Sequence, residues 1–188
     1  MAVGTEQDGG IVVEDGTGYS NSDSLISVAD ASAYLLKIYP SGTWAAASLA
    51  DQGAALRQAT MDWFEGQFQG AWRGQVSVQD QFLSVPRMGL YDDEGRTYDS
   101  NEIPERMRQA VALVANDILI NGKVVLPTGV NRTATVTEET SRIGTMQKTV
   151  KWSDKGNPYE STLIVYRKAD ALVYTFVTPD GDNQVTLF

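Results

Sequence analysis

The chain has 188 residues, 42 % of them apolar and 21 % charged, with a formal charge of -9, proportions of an ordinary globular protein rather than a disordered or fibrous one. It contains no cysteine and no histidine, which excludes thiol nucleophiles, disulfides, Cys/His zinc centres and histidine-based acid–base catalysis. The acidic balance opposes broad binding to phosphate backbones, since that affinity comes from Lys and Arg displacing counterions.

The length suits one domain with a real core and mobile ends. No run approaches the roughly 20 apolar residues that span a bilayer. The start, Met1-Ala2-Val3-Gly4-Thr5-Glu6, lacks a basic region and an apolar stretch, so neither a secretory signal nor membrane insertion is expected.

In chain order, residues 1–10 are small, polar and glycine-bearing and read as a flexible tail. Ile11-Val12-Val13 is a short strand candidate closed by the turn-rich Asp15-Gly16-Thr17-Gly18. Ser27 with Asp30 forms a capping-box pattern with Ile26 as a hydrophobic staple. Val28, Ala31, Leu35 and Ile38 then predict a helix over 28–38 that stops at Pro40. Ser48 and Asp51 repeat the cap and predict a helix to about Phe68, with Leu56, Ala59, Thr60, Trp63 and Phe64 facing inward. Trp44 anchors the linker before it, and Ala71-Trp72-Arg73-Gly74 reads as a turn that buries a ring. Trp63 and Trp72 read as core rather than as platforms for bases, because no basic run flanks them.

Gln81 to Gly122 is the best-punctuated stretch. It passes from Ser84-Val85-Pro86-Arg87 through an acidic loop, Asp92 to Asp99, into Ile103-Pro104-Glu105. Proline suits the first turn of a helix, and Glu105 suits its positive end. Met107, Ala110, Val111, Val114 and Ile118 share one face of that helix, and Asn121-Gly122 supplies a stop.

The texture then changes. Arg132 to Val136, Thr145 to Trp152 and Ser161 to Tyr166 are rich in Thr, Val, Ile and Tyr and read as strands, with Asp154 to Pro158 as a turn. Ala169 to Tyr174 reads as a short helix, Asp180 to Asn183 as a turn, and Gln184 to Phe188 as an extended apolar ending suited to docking. The fold class expected is α+β: a small bundle of three main helices with a C-terminal β-hairpin or three-stranded sheet. Its divisions are a tail at 1–10, a helical core at 11–122 and a strand-rich extension at 123–188.

Charge is distributed unevenly. Residues 1–36 carry six acidic side chains and no basic one, whereas residues 123–168 carry eight basic against four acidic. Two faces with different partners are expected, adjacent copies of the chain among them.

No pattern carries enzyme chemistry. Placing Gly95 at the sixth position of a calcium loop puts Leu90 where the first carboxylate belongs, so the acidic loop reads as solvated. Asn121-Gly122-Lys123 lacks phosphate-loop spacing, and Asn131-Arg132-Thr133 matches a glycosylation acceptor only formally. No enzyme activity, cofactor or metal is expected.

The order of several motifs resembles the head–tail connector proteins of tailed bacteriophages, some of which carry the label DnaT-like single-stranded-DNA-binding protein. The residues are Val13 to Gly18, Ser27 to Tyr34, Trp44, Ala54 to Thr60, Trp72-Arg73-Gly74, Gln81 with Leu83, Pro86-Arg87, and Ile103-Pro104 before Ala110. The resemblance spans residues 11–122, and Val85 stands where a Trp is usual. It implies a helical adaptor that forms a ring, commonly of twelve, between the portal and a tail or stopper protein. Such a ring lies in the virion neck after assembly in the host cytoplasm, and encircles the genomic DNA without reading its sequence. Trp44, Trp63, Trp72, Pro86, Arg87, Ile103 and Pro104 would form the core and turns. Lys148, Lys151, Arg167, Lys168, Leu187 and Phe188 would contact a neighbour or the portal. The alternative is a single-stranded nucleic-acid binder using Trp152, Tyr159 and Tyr166 among Lys148, Lys151, Arg167 and Lys168.

Overall fold

A computed structural model of the chain describes residues 2–68, 70–121, 136–139, 150–152 and 163–178, with side chains over 2–68, 70–121 and 168–178. The architecture is α+β, and the chain divides into two compact units, Met1–Val124 with Val165–Phe188, and Val125–Ile164.

In the larger unit, β1 (Glu6–Gln7) pairs antiparallel with β2 (Ile11–Val12), Glu6 opposite Val12. β1 lies within residues 1–10, the stretch read from the sequence as a tail. Gly4 exchanges two hydrogen bonds with the Asn21 side chain, at 2.8 and 3.1 Å. Arg57 reaches across to donate to the carbonyl of Gly10. Small polar residues signal too little apolar surface for a core, but backbone hydrogen bonding needs none.

Helix α1 (Val28–Ile38) starts where the cap predicts. Ser27 Oγ accepts from the Asp30 amide at 3.0 Å and donates to the Asp30 carboxylate at 2.7 Å. A single turn, α2 (Thr43–Ala46), carries Trp44, whose indole N–H donates to Ser32 Oγ at 3.0 Å. Helix α3 (Leu49–Gln58) has the same cap from Ser48 and Asp51. It continues as a π-helical segment, Ala59–Glu65, and a last turn, α4 (Gly66–Phe68). The wider π turn brings Trp63 and Phe64 both into the core. Trp63 meets Phe68 edge-on at 5.5 Å, and Phe64 lies against Trp72 at 4.6 Å. Such pairs add roughly 0.5–1.5 kcal/mol each beyond the area they bury.

A short ribbon follows, β3 (Gln75–Val76) against β4 (Arg87–Met88). Helix α5 (Glu105–Asn121) then runs through the middle of the unit and packs against α1, α2, α3 and the π segment. The sequence marks one apolar face on it, yet every residue from Ala110 to Ile118 is buried, Asn116 and Asp117 included. A helix enclosed on all sides needs small residues where neighbours come close, and Ala110, Ala112 and Ala115 supply them.

In the smaller unit, β5 (Val136–Glu139) pairs antiparallel with β6 (Val150–Trp152), with an irregularity in register between Val136 and Glu138. Residues 163–166, expected as a third strand, instead open helix α6 (Leu163–Val173), which continues into a 3-10 turn, Tyr174–Phe176. Leu-Ile-Val-Tyr is a short apolar run that reads equally as strand or buried helix. Burial of Ala169, Val173 and Phe176 at helical spacing decides it. The expected turns at 154–158 and 180–183, the helix stop at Gly122, the acceptor pattern at 131–133 and the apolar ending 184–188 lie outside the described residues.

Candidate functional site

The motif Glu14-Asp15-Gly16-Thr17-Gly18-Tyr19 is held by one side chain. Glu14 is wholly buried and its carboxylate accepts four hydrogen bonds, from the amides of Gly16 (3.0 Å), Gly18 (2.8 Å) and Tyr19 (2.8 Å) and from Ser22 Oγ (3.1 Å). Asp15 beside it accepts from Thr17 and Tyr19; burial pushes its carboxyl up, but these hydrogen bonds outweigh it and hold the group below its ordinary value. Every donor belongs to this loop, so the carboxylates organise backbone rather than await a ligand.

The acidic loop has the same character. Asp92 is buried rather than solvated. It accepts from the amides of Glu94 (3.0 Å) and Arg96 (2.9 Å) and from the Arg96 guanidinium at 2.8 Å. Burial alone would raise its pKa, but these hydrogen bonds hold the carboxyl below its ordinary value. Among the described residues no group of three acidic side chains is placed to hold a metal ion.

The motif arginines are also engaged. Arg57 pairs with Asp23 at 2.6 Å, and Asp23 accepts from the Val12 amide, so α3 is tied to the N-terminal hairpin. Arg73 reaches Asp93 at 2.7 Å and the Thr175 carbonyl at 3.0 Å, and lies over the Tyr91 ring. Arg87 donates to the carbonyls of Arg73, Gly74 and Ser84 at 2.7–2.9 Å, closing the turn around Pro86. Burial lowers its pKa, and Glu65, which binds Ser84, works against that. Three carbonyls on one guanidinium make a fork that lysine cannot reproduce.

Of the residues read from the sequence as core and turn, Trp44, Trp63, Trp72, Pro86, Ile103 and Pro104 are buried. The Pro104 carbonyl accepts from Met107, opening α5. Of the proposed contact residues, Lys168 is exposed on α6, Lys151 lies on β6 and Arg167 on α6. Lys148, Leu187 and Phe188 lie outside the described residues. Of the stacking set, Tyr159 lies outside the described residues, and Trp152 on β6 and Tyr166 on α6 are described in backbone alone.

The surface that results is acidic. Among the described side chains there are eighteen carboxylates against eight bases; Arg57, Arg73 and Arg96 pair with carboxylates of the same unit, and Arg87 binds its carbonyls. Phe82, Met88, Leu49, Ile120 and Tyr174 are large apolar side chains more than half exposed. No described helix is long and apolar enough to cross a membrane. Sequence reading missed Glu14, Asp23 and Asp92 as organising groups. For Glu14 and Asp92 the available signal was an acid followed within two to eight residues by Gly, Ser or Arg able to donate to it, whereas the donors to Asp23 are too distant in sequence to give one.

The described body is acidic, and its motif residues are committed to internal turns. The chain belongs to the family described as Putative DnaT-like ssDNA binding protein, whose model matches residues 10–187. No curated protein matches it, and no solved structure does.

Proposed function

We propose that this chain is a head–tail connector subunit of a tailed bacteriophage, a non-catalytic protein that assembles in a ring, of about twelve copies by resemblance, beneath the portal. The observation that carries the reading is the state of the arginines. Four of the eight described bases are already held by the unit's own carboxylates and carbonyls, in a body whose eighteen carboxylates outnumber its bases and which carries exposed apolar side chains. Such a surface suits protein neighbours. A carboxylate-rich wall does not retain a phosphate backbone, which suits a conduit through which DNA must slide. The motif order over residues 11–122 supports the same reading. In a head-to-tail ring the interface is heterologous, so the acidic body of one copy can meet the basic 123–168 segment of the next. The place of action is then the virion neck, with a tail or stopper protein on the far side.

Sedimentation of the purified chain with and without portal particles tests this. A joint complex is expected, and its absence overturns the reading. Deleting residues 184–188 in the same assay asks whether the apolar ending docks on the portal.

The family description favours a second reading, single-stranded DNA binding, and the net positive 123–168 segment with Trp152, Tyr159 and Tyr166 is its natural seat. Fluorescence anisotropy with an oligonucleotide at low and moderate salt separates the two. Tight, steeply salt-dependent binding supports the second reading, and weak binding at low salt that vanishes at moderate salt supports the first.

A further inference from the structure

Residues 168–178 return to the larger unit along a seam. Trp72 and Val177 form an antiparallel bridge, the Arg73 amide donates to Phe176 at 3.1 Å, and the Thr178 amide donates to Ala71 at 2.8 Å. Ala169, Val173 and Phe176 are buried beneath it. On the same seam sits Asp170, accepting from Gln67 Nε2 at 3.2 Å. The Trp63 indole N–H faces the same carboxyl without completing a hydrogen bond. The packing is open alongside, where a cleft of about 330 Å³ is lined by Gln67, Phe68, Ala71, Asp93, Tyr174 and Val177.

No cation pairs with Asp170 among the described side chains. On the facing elements Asp62 is exposed, Glu65 is tied to Ser84 and Asp93 to Arg73. On its own helix Lys168 is exposed. The carboxylate therefore loses water on docking and, among the described side chains, gains one formed hydrogen bond, from a neutral amide.

We propose that this seam is a proton-sensitive latch, which holds residues 168–178 on the body most firmly when the Asp170 carboxyl is neutral and loosens when it ionises. The inference is independent of the connector reading. Burial raises Asp170 to about 6, against the opposing contacts from Gln67 and Trp63. A carboxyl raised on docking contributes holding strength that is fully present below its ordinary value of about 4 and is lost as pH rises through about 6. The body side exposed on opening includes Phe68 and Trp72, an apolar seat that a neighbouring protein could occupy.

Hydrogen exchange of the full chain between pH 4.5 and 7.5, corrected for intrinsic exchange, tests the latch at the amides of Arg73 and Thr178, which bond across the seam. Their opening equilibrium is expected to rise roughly tenfold over that range, after allowance for solvent screening of a half-buried group. The variant Asp170→Asn is expected to hold the closed level at both ends. A wild-type opening equilibrium that stays flat overturns the proposal, as does an Asp170→Asn variant that keeps the slope. The wild-type series decides by itself if the variant does not fold.

Discussion

Two acidic loops, Glu14–Ser22 and Asp92–Tyr98, are each wound around one buried carboxylate, and they differ in what neutralises it. Glu14 is compensated by amides and a hydroxyl, with no cation among its partners. Asp92 has two amides and the Arg96 guanidinium. The first loop is also walled in, since a Cβ on Gly16 would lie 1.8 Å from the Asn101 carbonyl oxygen, whereas Gly95 in the second faces open space. The N-terminal loop is thus part of the packed body, and the other is a surface turn with a buried foot. The difference teaches that an acidic residue in a loop marks a ligand site only if its lone pairs remain free, and those of Glu14 and Asp92 are taken by their own loops.

Four substitutions probe the contrast. Gly16→Ala is expected to be the most damaging, because it combines a φ of +106°, where side chains are strained, with a backbone clash. A loss above about 3 kcal/mol in urea unfolding is anticipated. Glu14→Gln comes next. Whichever way the amide is turned, its NH₂ faces a backbone N–H or a hydroxyl donor, so about 2–3 kcal/mol should be lost. Asp92→Asn should shift the urea midpoint less than Glu14→Gln, and its signature is in acid. Because Asp92 is held below its ordinary value, its contribution is present above about pH 4 and lost as pH falls through the folded value. The variant should therefore unfold with a shallower acid limb, and an unchanged limb would show that the hydrogen bonds carry no charge preference. Gly95→Ala should cost least, about 1 kcal/mol of left-handed strain at φ +78° with no clash. Equal losses at the two glycines would erase the distinction between walled and open loops.

The connector and DNA-binding readings meet in the same contrast. A side chain already saturated by its own loop is unavailable to a partner, so contacts must come from surfaces the motifs leave free. On the described body those are the exposed apolar residues, Phe82, Met88 and Ile120 among them. In this chain Glu14, Arg73 and Arg87 are internal fasteners.

Much of the fold was legible in the chain. The caps at Ser27 and Ser48, the span 28–38 and the proline start of α5 rest on contacts within one turn, and they occur where the residues require. Interactions of sequence separation three or four are set by local identity, whatever the rest of the molecule does. The saturation of the candidate sites was not legible in the same way. Arg57 serves Asp23 across 34 residues, and Arg73 reaches Thr175 across 102, distances over which sequence pattern carries no signal.

The sequence by itself determined the α+β class, the exclusion of thiol and histidine chemistry, the helix starts and the acidic character. Only the tertiary structure decided that α5 is enclosed on every side, that residues 163–166 turn as helix, and that the acidic loops close on themselves. Packing across the chain decides these, because the element that continues from residues 163–166 is fixed by the burial of Ala169, Val173 and Phe176, and a carboxylate takes whichever donors are desolvated with it. Neither property belongs to any residue until its neighbours from the rest of the chain are in place.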